Sequence, residues 1–306
     1  MKILIISSNL IGDTILSTGI VDYFKNNNKN SKFTFIIGPS ASQIYKNFPA
    51  LERIIVIKKR KFNLHWFDMY NQCKKTKWDI IIDLRSSLLS YLLKTKKRFI
   101  FKKDKKYHHI DQLNKYFKIQ NTSLNIYTNK EEEDIVKKDL SLNNKYVVIF
   151  PGGNWVPKIW SSEMYNDLIK KISNKFNNIK FILVGSQSEK DKYYREITKN
   201  IDENYFIDLF GKSITLTSAY MKKSNLFIGN DSGLMHLSFA SGLKTISLFG
   251  PTNDKLYGHR NNDCFVIRTK ETFGDFNKMD INPKKSYMNS IESNKVLDLI
   301  IENKLL

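Results

Sequence analysis

Two short stretches of this 306-residue chain contain residue types that do chemistry, and each directly follows an apolar run. In the first stretch, SSNLIGDTILSTG (7–19), Gly12 and Asp13 follow the run KILII. The second stretch, NDSGLMH (230–236), follows LFIG, and the triplet GPT (250–252) ends the next apolar run. A carboxylate in the first stretch suits proton transfer, whereas glycine and hydroxyl groups in the second suit the binding of an anion.

Asp13 stands where a nucleotide-binding fold usually holds phosphate. In a partly dehydrated site its carboxylate would repel a diphosphate by roughly a few kcal/mol. We therefore predict that Asp13 accepts a proton and that Gly12 keeps the turn tight, so that the carboxylate reaches the ligand. The alternative is that Asp13 is only an acidic residue of a first helical turn, stabilised by the helix dipole.

The second stretch predicts a helix over 232–241 with Asp231 as its N-cap and Gly242 just after its end. Ser232 and Gly233 would then present backbone N–H groups of the first turn to an anion. The triplet of Gly250, Pro251 and Thr252 would hold the same anion from the adjacent strand. The alternative is that Asp231 only caps the helix and that His236 is a packing residue.

Apolar runs rich in β-branched residues alternate with helical patterns along most of the chain, which predicts parallel sheets covered by helices. Ten such runs exceed one sheet, and the polar segment 129–145 contains none of them. The sequence therefore predicts an α/β chain of two Rossmann-like domains, 1–140 and 141–285, that face each other across a cleft. Residues 286–306 form a closing helix with Ser293 as N-cap and an apolar face of Val296, Leu297, Ile300 and Ile301.

The sequence disfavours several classes of protein. Neither domain contains the glycine fingerprint of dinucleotide-binding folds or a P-loop, which disfavours dehydrogenases and P-loop kinases. The two cysteines, Cys73 and Cys264, have no metal or disulfide spacing. No run approaches the roughly 18 apolar residues of a membrane span, and polar residues interrupt the N-terminal run too early for a signal peptide. We therefore expect a soluble, cytoplasmic protein.

The net charge of +20 is concentrated in the first half, where residues 1–150 contain 28 Lys and Arg against 13 Asp and Glu. Two dense clusters are KKRK (58–61) and KTKKRFIFKKDKK (94–106). Such clusters attract nucleic acid or an anionic membrane surface. Simple solvated lysines in a Lys-rich chain are an equally open interpretation.

Four motifs, LIGDTILSTG, FPGGNWVPKIW, NDSGLMHLSFASG and LFGPTN, occur in this order. Together they resemble the heptosyltransferase-like glycosyltransferases of family nine, from Met1 to about His259 and in the terminal helix. The resemblance implies a fold of GT-B type, with the acceptor in the N-terminal domain and the nucleotide-sugar donor in the C-terminal one. The donor would be ADP-heptose, and the acceptor an anionic, lipid-linked saccharide of the lipopolysaccharide core at the inner face of the cytoplasmic membrane.

The resemblance also assigns roles. Asp13 is implied as the base of an inverting transfer and Lys158 as a catalytic group on the donor phosphates. Asp208 is implied as the ribose acid. The donor site is completed by Gly12, Asp231, Ser232, Gly233, His236, Gly250, Pro251 and Thr252. No D-x-D triplet occurs in the chain, so we expect no metal and no cofactor, and we expect a monomer that does not bind nucleic acid. The alternatives are a non-catalytic nucleotide-sugar-binding protein of this fold and a basic nucleic-acid-binding protein.

Overall fold

The structure is a computed structural model that describes residues 1–58, 60–104, 106–259 and 261–306. The chain divides into two compact units, Met1–Asn129 and Lys130–Leu306, and each is built around its own parallel sheet. The prediction of two parallel-sheet α/β domains is therefore confirmed.

The first unit alternates strands and helices, as its hydrophobic runs predict. Its strands are β1 (Lys2–Ile6), β2 (Lys32–Ile37), β3 (Leu51–Val56), β4 (Trp78–Asp83) and β5 (Thr95–Ile100). Its helices are α1 (Ile11–Leu16), α2 (Thr18–Asn27), α3 (His65–Cys73), α4 (Leu89–Leu92) and α5 (His109–Phe117), with 3-10 turns at Pro39–Tyr45 and Lys61–Asn63.

The sheet of the first unit has the strand order β3-β2-β1-β4-β5, and all its pairings are parallel. The chain moves outward from β1 to β3 and then crosses to β4 on the other side of β1. The carboxyl ends of β1 and β4 therefore form a topological switch point, where open α/β sheets bind ligands. Asp13 follows β1 at this edge.

The second unit repeats the pattern with one more strand. Its strands are β6 (Lys145–Phe150), β7 (Ile179–Gly185), β8 (Phe206–Phe210), β9 (Leu226–Asn230), β10 (Thr245–Phe249) and β11 (Cys264–Arg268). Its helices are α6 (Lys130–Asp139), α7 (Ser162–Lys175), α8 (Gln187–Ile197), α9 (Ile214–Met221), α10 (Gly233–Ala240), α11 (Asp254–Tyr257), α12 (Phe273–Phe276) and α13 (Ser293–Glu302), with 3-10 turns at Val156–Lys158 and Glu203–Tyr205.

The second sheet has the order β11-β10-β9-β6-β7-β8, again all parallel. Its switch point lies between the carboxyl ends of β6 and β9. The ten predicted strands are all present, but the prediction missed β11. Four of the five residues in its run CFVIR are apolar, so the hydrophobic pattern of this strand is present in the sequence.

The boundary between the units lies earlier than residue 140, because α6 belongs to the second unit. Val136 is buried, and the Thr215 hydroxyl donates to the Glu132 carboxylate at 2.5 Å. The Tyr220 hydroxyl also donates to Asp139 at the end of α6. The polar sequence without a strand predicts a break between the domains in this segment, and these long-range contacts make α6 part of the second unit.

The closing helix begins one residue earlier than predicted, because Glu292 is the N-cap and Ser293 is the first helical residue. Instead of capping, the Ser293 hydroxyl donates to Asp167 and accepts from the Lys171 ammonium at 2.8 Å. Val296 and Ile300 are fully buried in the core of the second unit. In the described residues, no helix is both long enough and apolar enough to cross a membrane.

Candidate active site

Asp13 is the third residue of α1, directly after the carboxyl end of β1. The helix begins because Leu10 has an extended backbone and the Ser8 hydroxyl accepts from the Leu10 N–H at 3.1 Å. Gly12 is therefore the second residue of this helix and not part of a tight turn, which corrects the predicted role of Gly12. The turn is made by the residues before it.

In the part of the chain that the structure describes, the Asp13 carboxylate contacts a lysine and a serine. Oδ1 lies 3.0 Å from the Lys103 ammonium, and the Ser8 hydroxyl donates to Oδ2 at 3.5 Å. The side chains of Asp13 and Lys103 are 25% and 36% exposed, so the pair is reachable from solvent. A cation at this distance holds the carboxylate in one position, where an acceptor hydroxyl could reach it.

His109, the first residue of α5, is a buried neighbour of this pair. Its ring packs edge-on against Phe101, with centroids 5.7 Å apart. The pKa of His109 is lowered from 6.5 to about 4, mainly by burial and also by the positive charge of Lys103, while the carboxylate of Asp13 acts in the opposite direction. Its Nδ1 atom is enclosed and has no hydrogen-bond partner among the described residues. At neutral pH it is therefore a neutral imidazole close to the Asp13–Lys103 pair.

The basic cluster 94–106 does not form one patch. Its first part is strand β5, which spans about 20 Å at 3.3 Å per residue. Lys94 and Lys96 therefore lie towards the amino edge of the sheet, while Lys102 and Lys103 follow its carboxyl end. Two members of the predicted clusters, Lys59 and Lys105, lie outside the described residues.

In the second unit, the predicted anion-binding helix is α10, but its N-cap is Ser232 and not Asp231. The Ser232 hydroxyl accepts from the Met235 N–H at 3.3 Å, and Gly233 is the first helical residue. Asp231 remains in the segment that leaves β9, where its N–H bonds the Leu248 carbonyl at 3.1 Å. Gly242 follows the helix with φ of 71°, as predicted for a helix-ending glycine.

Asp231 faces Lys158, and the two form a buried ion pair. The ammonium lies 3.6 Å from Oδ2 of the carboxylate, and the side chains are only 11% and 8% exposed. Lys158 reaches this position because the 3-10 turn Val156–Lys158 follows the carboxyl end of β6, beside β9 in the sheet. The structure therefore joins two predicted site residues at the switch point of the second sheet.

Asn230, a residue that the sequence did not single out, organises this switch point. Its side chain is fully buried, and Oδ1 accepts from the Trp160 N–H at 3.0 Å and from the Tyr165 hydroxyl at 3.2 Å. Its Nδ2 group donates to the carbonyls of Pro151 and Gly152 at 3.1 and 2.9 Å. The amide is fully satisfied, so it fixes the loop after β6 against the end of β9.

Arg268 of β11 binds the backbone of the GPT triplet. Its guanidinium donates to the Gly250 carbonyl at 2.7 Å and to the Thr252 carbonyl, and it pairs with the Asp254 carboxylate at 2.9 Å. Pro251, the middle residue of the triplet, is buried. The Thr252 hydroxyl oxygen is enclosed and has no partner among the described residues. A contact between this hydroxyl and a ligand oxygen stays a prediction.

The remaining predicted residues lie apart from this ion pair. Asp208 is in β8, at the end of the sheet, and it pairs with Lys190. With β7 and β6 between β8 and β9, the spacing of strands separates Asp208 from β9 by roughly 14 Å across the sheet. His236 is buried, and its Nδ1 lies 2.8 Å from Nε2 of His259, whose ring stacks on Phe239. Its observed contacts are thus inside the unit.

Sequence reasoning missed four side chains that the structure places at these sites: Lys103, His109, Asn230 and Arg268. Lys103 was predicted only as part of a charge cluster, and Asn230 only as a letter in a motif. No sequence motif pointed to His109 or Arg268, because each acts through a contact with a segment that is distant in the sequence. A search for polar residues at every strand end would have found Asn230.

Three comparisons with known proteins agree. The profile of glycosyltransferase family 9 (heptosyltransferase) matches residues 97–285, more than half of the chain. The chain is 24% identical to lipopolysaccharide heptosyltransferase 1 of Campylobacter coli, over 99% of this chain and 98% of that protein. A family 9 glycosyltransferase structure from Veillonella parvula aligns with a TM-score of 0.80 at 20% identity, covering 99% and 97% of the two chains.

Escherichia coli heptosyltransferase WaaC with ADP aligns with a TM-score of 0.74 at 16% identity, over 99% of this chain and 100% of that one. Similarities to structures at this level of identity support the fold, and they confirm the prediction of two Rossmann-like domains of GT-B type. The profile match identifies the family. The chain therefore belongs to glycosyltransferase family 9, the heptosyltransferases.

Proposed function

We propose that this chain is an inverting heptosyltransferase that moves heptose from ADP-heptose to an anionic acceptor of the lipopolysaccharide core. The observation that carries the proposal is that the Asp13 carboxylate is partly exposed and pairs with Lys103 at the switch point of the first sheet. The family supports transfer of a heptose. The name of the Campylobacter relative supports a lipopolysaccharide acceptor, and the ADP in the E. coli structure supports the nucleotide.

In the proposed reaction, a hydroxyl oxygen of the acceptor attacks the anomeric carbon from the face opposite the diphosphate. The new carbon–oxygen bond forms as the bond to the diphosphate oxygen breaks, and the electron pair leaves with ADP. Asp13 takes the proton of the attacking hydroxyl. Lys103 holds the carboxylate in place until the acceptor arrives.

The second unit is proposed to hold the donor. The diphosphate would lie at the N-terminus of α10, with the N–H of Gly233, the Thr252 hydroxyl and the Lys158 ammonium as donors. Because Lys158 already pairs with Asp231, its ammonium must share its protons between the Asp231 carboxylate and the donor phosphate. Asp208, further along the same edge, is proposed to bind the ribose hydroxyls, which requires its carboxylate to exchange Lys190 for the sugar.

We further propose that the enzyme acts as a monomer at the inner face of the cytoplasmic membrane, where a lipid-linked acceptor would lie. The uneven charge supports this placement, because residues 1–129 contain 24 Lys and Arg against 8 Asp and Glu. An anionic surface attracts such a unit by about 1 kcal/mol per basic residue close to it.

Thermal unfolding across a nucleotide panel tests the donor assignment. A nucleotide at 100 times its dissociation constant adds about 2.7 kcal/mol to the free energy of unfolding. We expect ADP to raise the melting temperature more than UDP, GDP or CDP at equal concentration. A larger shift with UDP would change the donor, and no shift with any diphosphate would contradict a nucleotide-sugar enzyme. Transfer from ADP-heptose to a core acceptor, followed by mass spectrometry, then tests the reaction.

A further inference from the structure

The segments that follow β3 and β4 in the first unit carry exposed apolar side chains. In a parallel sheet all strands end at the same edge, so the segments after β1, β3, β4 and β5 emerge together. Those after β3 and β4 expose six large side chains, which we call the apolar surface: Phe62, Leu64, Phe67, Leu88, Tyr91 and Leu92. Leu88 is 81% exposed and Phe62 91% exposed, so this is surface that folding leaves in water.

The two helices that carry most of this surface lie side by side. Met69 of α3 and Leu89 of α4 are buried in the same cluster on one face of the sheet. Because their inner sides share that cluster and the helices contact each other, their outer sides are neighbours. Phe67 on α3 and Leu92 on α4 therefore belong to one region and are not scattered residues.

Arg98 fixes the orientation of α4. Its guanidinium donates to the Ser90 carbonyl at 2.8 Å and to the Leu93 carbonyl at 2.9 Å, and it lies 5.8 Å from the centre of the Tyr91 ring. These contacts satisfy carbonyl groups of a helix that has only four residues. The outward position of Tyr91 and Leu92 is thus built into the unit.

Exposed lysines surround the apolar surface at the same edge. Lys58 and Lys61 follow β3, and Lys102 and Lys106 follow β5. Two acids are close to these lysines in the chain: Asp68 pairs with Arg60 at 2.8 Å, and the Asp104 carboxylate accepts from the Lys106 backbone N–H at 2.9 Å. The edge therefore combines apolar side chains with positive charge.

We propose that this carboxyl edge docks on an anionic lipid bilayer, with the apolar surface inserted at the boundary between headgroups and acyl chains and the lysines on lipid phosphates. The proposal rests on the proposed function in that the acceptor is lipid-linked, and it would bring Asp13 to the membrane surface. Leucine and aromatic residues beside lysine are the composition of segments that lie in a membrane interface. Protein interfaces are depleted of lysine, which makes a protein partner the poorer fit.

Cosedimentation of the full chain with vesicles tests the docking. The vesicles contain phosphatidylethanolamine with a quarter of phosphatidylglycerol, and phosphatidylcholine vesicles serve as the uncharged comparison. We expect binding to the anionic vesicles at about 0.15 M NaCl, with a weaker, residual binding at about 0.5 M NaCl, where charge is screened and insertion of the apolar surface remains. Binding that ignores lipid charge would contradict the proposal.

The apolar contribution is tested by the variant F62S/F67S/L88S/L92S. All four side chains are exposed, so the fold should not depend on them, and circular dichroism checks this. We expect partitioning at the higher salt to fall at least about tenfold. The matched control is L142S/M279S, which removes two exposed apolar side chains of the second unit and should bind as the parent does.

The charge contribution has a control within the same sheet. K102Q/K106Q removes two positive charges from the carboxyl edge, and K2Q/K32Q removes two from the amino edge, at the starts of β1 and β2. Only the first pair should weaken binding at the lower salt. Equal losses in both pairs would indicate general attraction by net charge and overturn the docking geometry.

Two further results would overturn the proposal. One is unchanged vesicle binding by F62S/F67S/L88S/L92S. The other is a dimer of the parent protein in sedimentation velocity that this variant dissolves, which would assign the apolar surface to a second copy of the chain. The proposed function fails separately, because nucleotide stabilisation is measured without vesicles, and transfer to a deacylated acceptor should be equal in parent and variant.

Discussion

The two units share a strand order, but the carboxyl edges of their sheets differ in exposure and polarity. At the carboxyl edge of the first sheet, the candidate base Asp13 is partly exposed and pairs with Lys103, and the segments that leave this edge carry exposed apolar side chains. At the same edge of the second sheet, the candidate groups are enclosed: the Lys158–Asp231 pair is nearly buried and Asn230 is completely so. An open, basic and partly apolar edge suits a large amphiphilic acceptor, whereas an enclosed polar edge suits a small, highly charged donor.

This difference has a consequence for substitutions. In the first unit a functional side chain contributes little to folding, so its loss should change the rate of transfer and leave stability intact. In the second unit the functional groups are buried polar partners, whose loss should change both.

The largest expected effect is that of D13N. The amide keeps the shape of the side chain but cannot take a proton, so transfer should fall by roughly 100- to 10,000-fold, while the affinity for ADP and the melting temperature change little. The measurement is kcat with saturating donor, beside calorimetry of ADP binding. D111N, an exposed acid in the first turn of α5, is the control. Near-normal turnover of D13N would remove Asp13 from the mechanism.

In the second unit, K158M should reduce donor binding and also destabilise the protein. Removing the ammonium leaves the Asp231 carboxylate buried without a counter-ion, which costs about 3–5 kcal/mol of unfolding free energy. Denaturant unfolding measures the loss, and K175M, which changes an exposed lysine of α7, should show none.

The double variant K158M/D231N separates the two effects of Lys158. Since it removes both charges, most of the stability should return, while donor affinity should stay low. Recovery of donor affinity in the double variant would mean that Lys158 only neutralises Asp231 and does not contact the phosphates.

A smaller effect is expected for the pH dependence of stability through His109. Its pKa is about 4 in the folded protein, below the ordinary value of 6.5, so the unfolded chain takes up the proton first as the pH falls. Stability from the neutral imidazole is complete above about pH 6.5 and decreases between pH 6.5 and pH 4, by about 3 kcal/mol at most. Lys103 and His108 act in this direction and Asp13 against it.

Unfolding of the parent and of H109Q over pH 4 to 7 checks this prediction. The glutamine variant should show a shallower decrease, because it has no group that titrates in this range at this position. Parallel curves would mean that His109 is protonated in the folded protein at the same pH as in the unfolded chain.

The smallest expected effect is that of a chelator. If Lys158, Thr252 and the N–H groups of α10 meet the charge of the leaving diphosphate, activity with EDTA should stay within about twofold of the untreated enzyme. A loss of activity that Mg²⁺ or Mn²⁺ restores would assign part of this charge stabilisation to a metal ion.

Much of the fold was readable from local pattern. The runs KILII and YVVIF predict buried strands because consecutive apolar residues suit a sheet covered on both faces, and both are strands with buried side chains. The glycine at 242 and the start of the α10 helix were predicted to within one residue, since caps depend on neighbouring residues. The errors at α6 and Ser293 arose where contacts from distant segments decided the outcome.

The sequence by itself determined the two-domain α/β architecture, the family and the residue types at the ends of β1, β9 and β10. These depend on hydrophobic period and on short motifs, which are properties of neighbouring residues. Only the tertiary structure decided that Asp13 meets Lys103, that Asp231 pairs with Lys158 instead of capping, and that one basic cluster is divided between two edges of a sheet. Each of these depends on distances between segments that are far apart in the chain, and no local pattern encodes such distances.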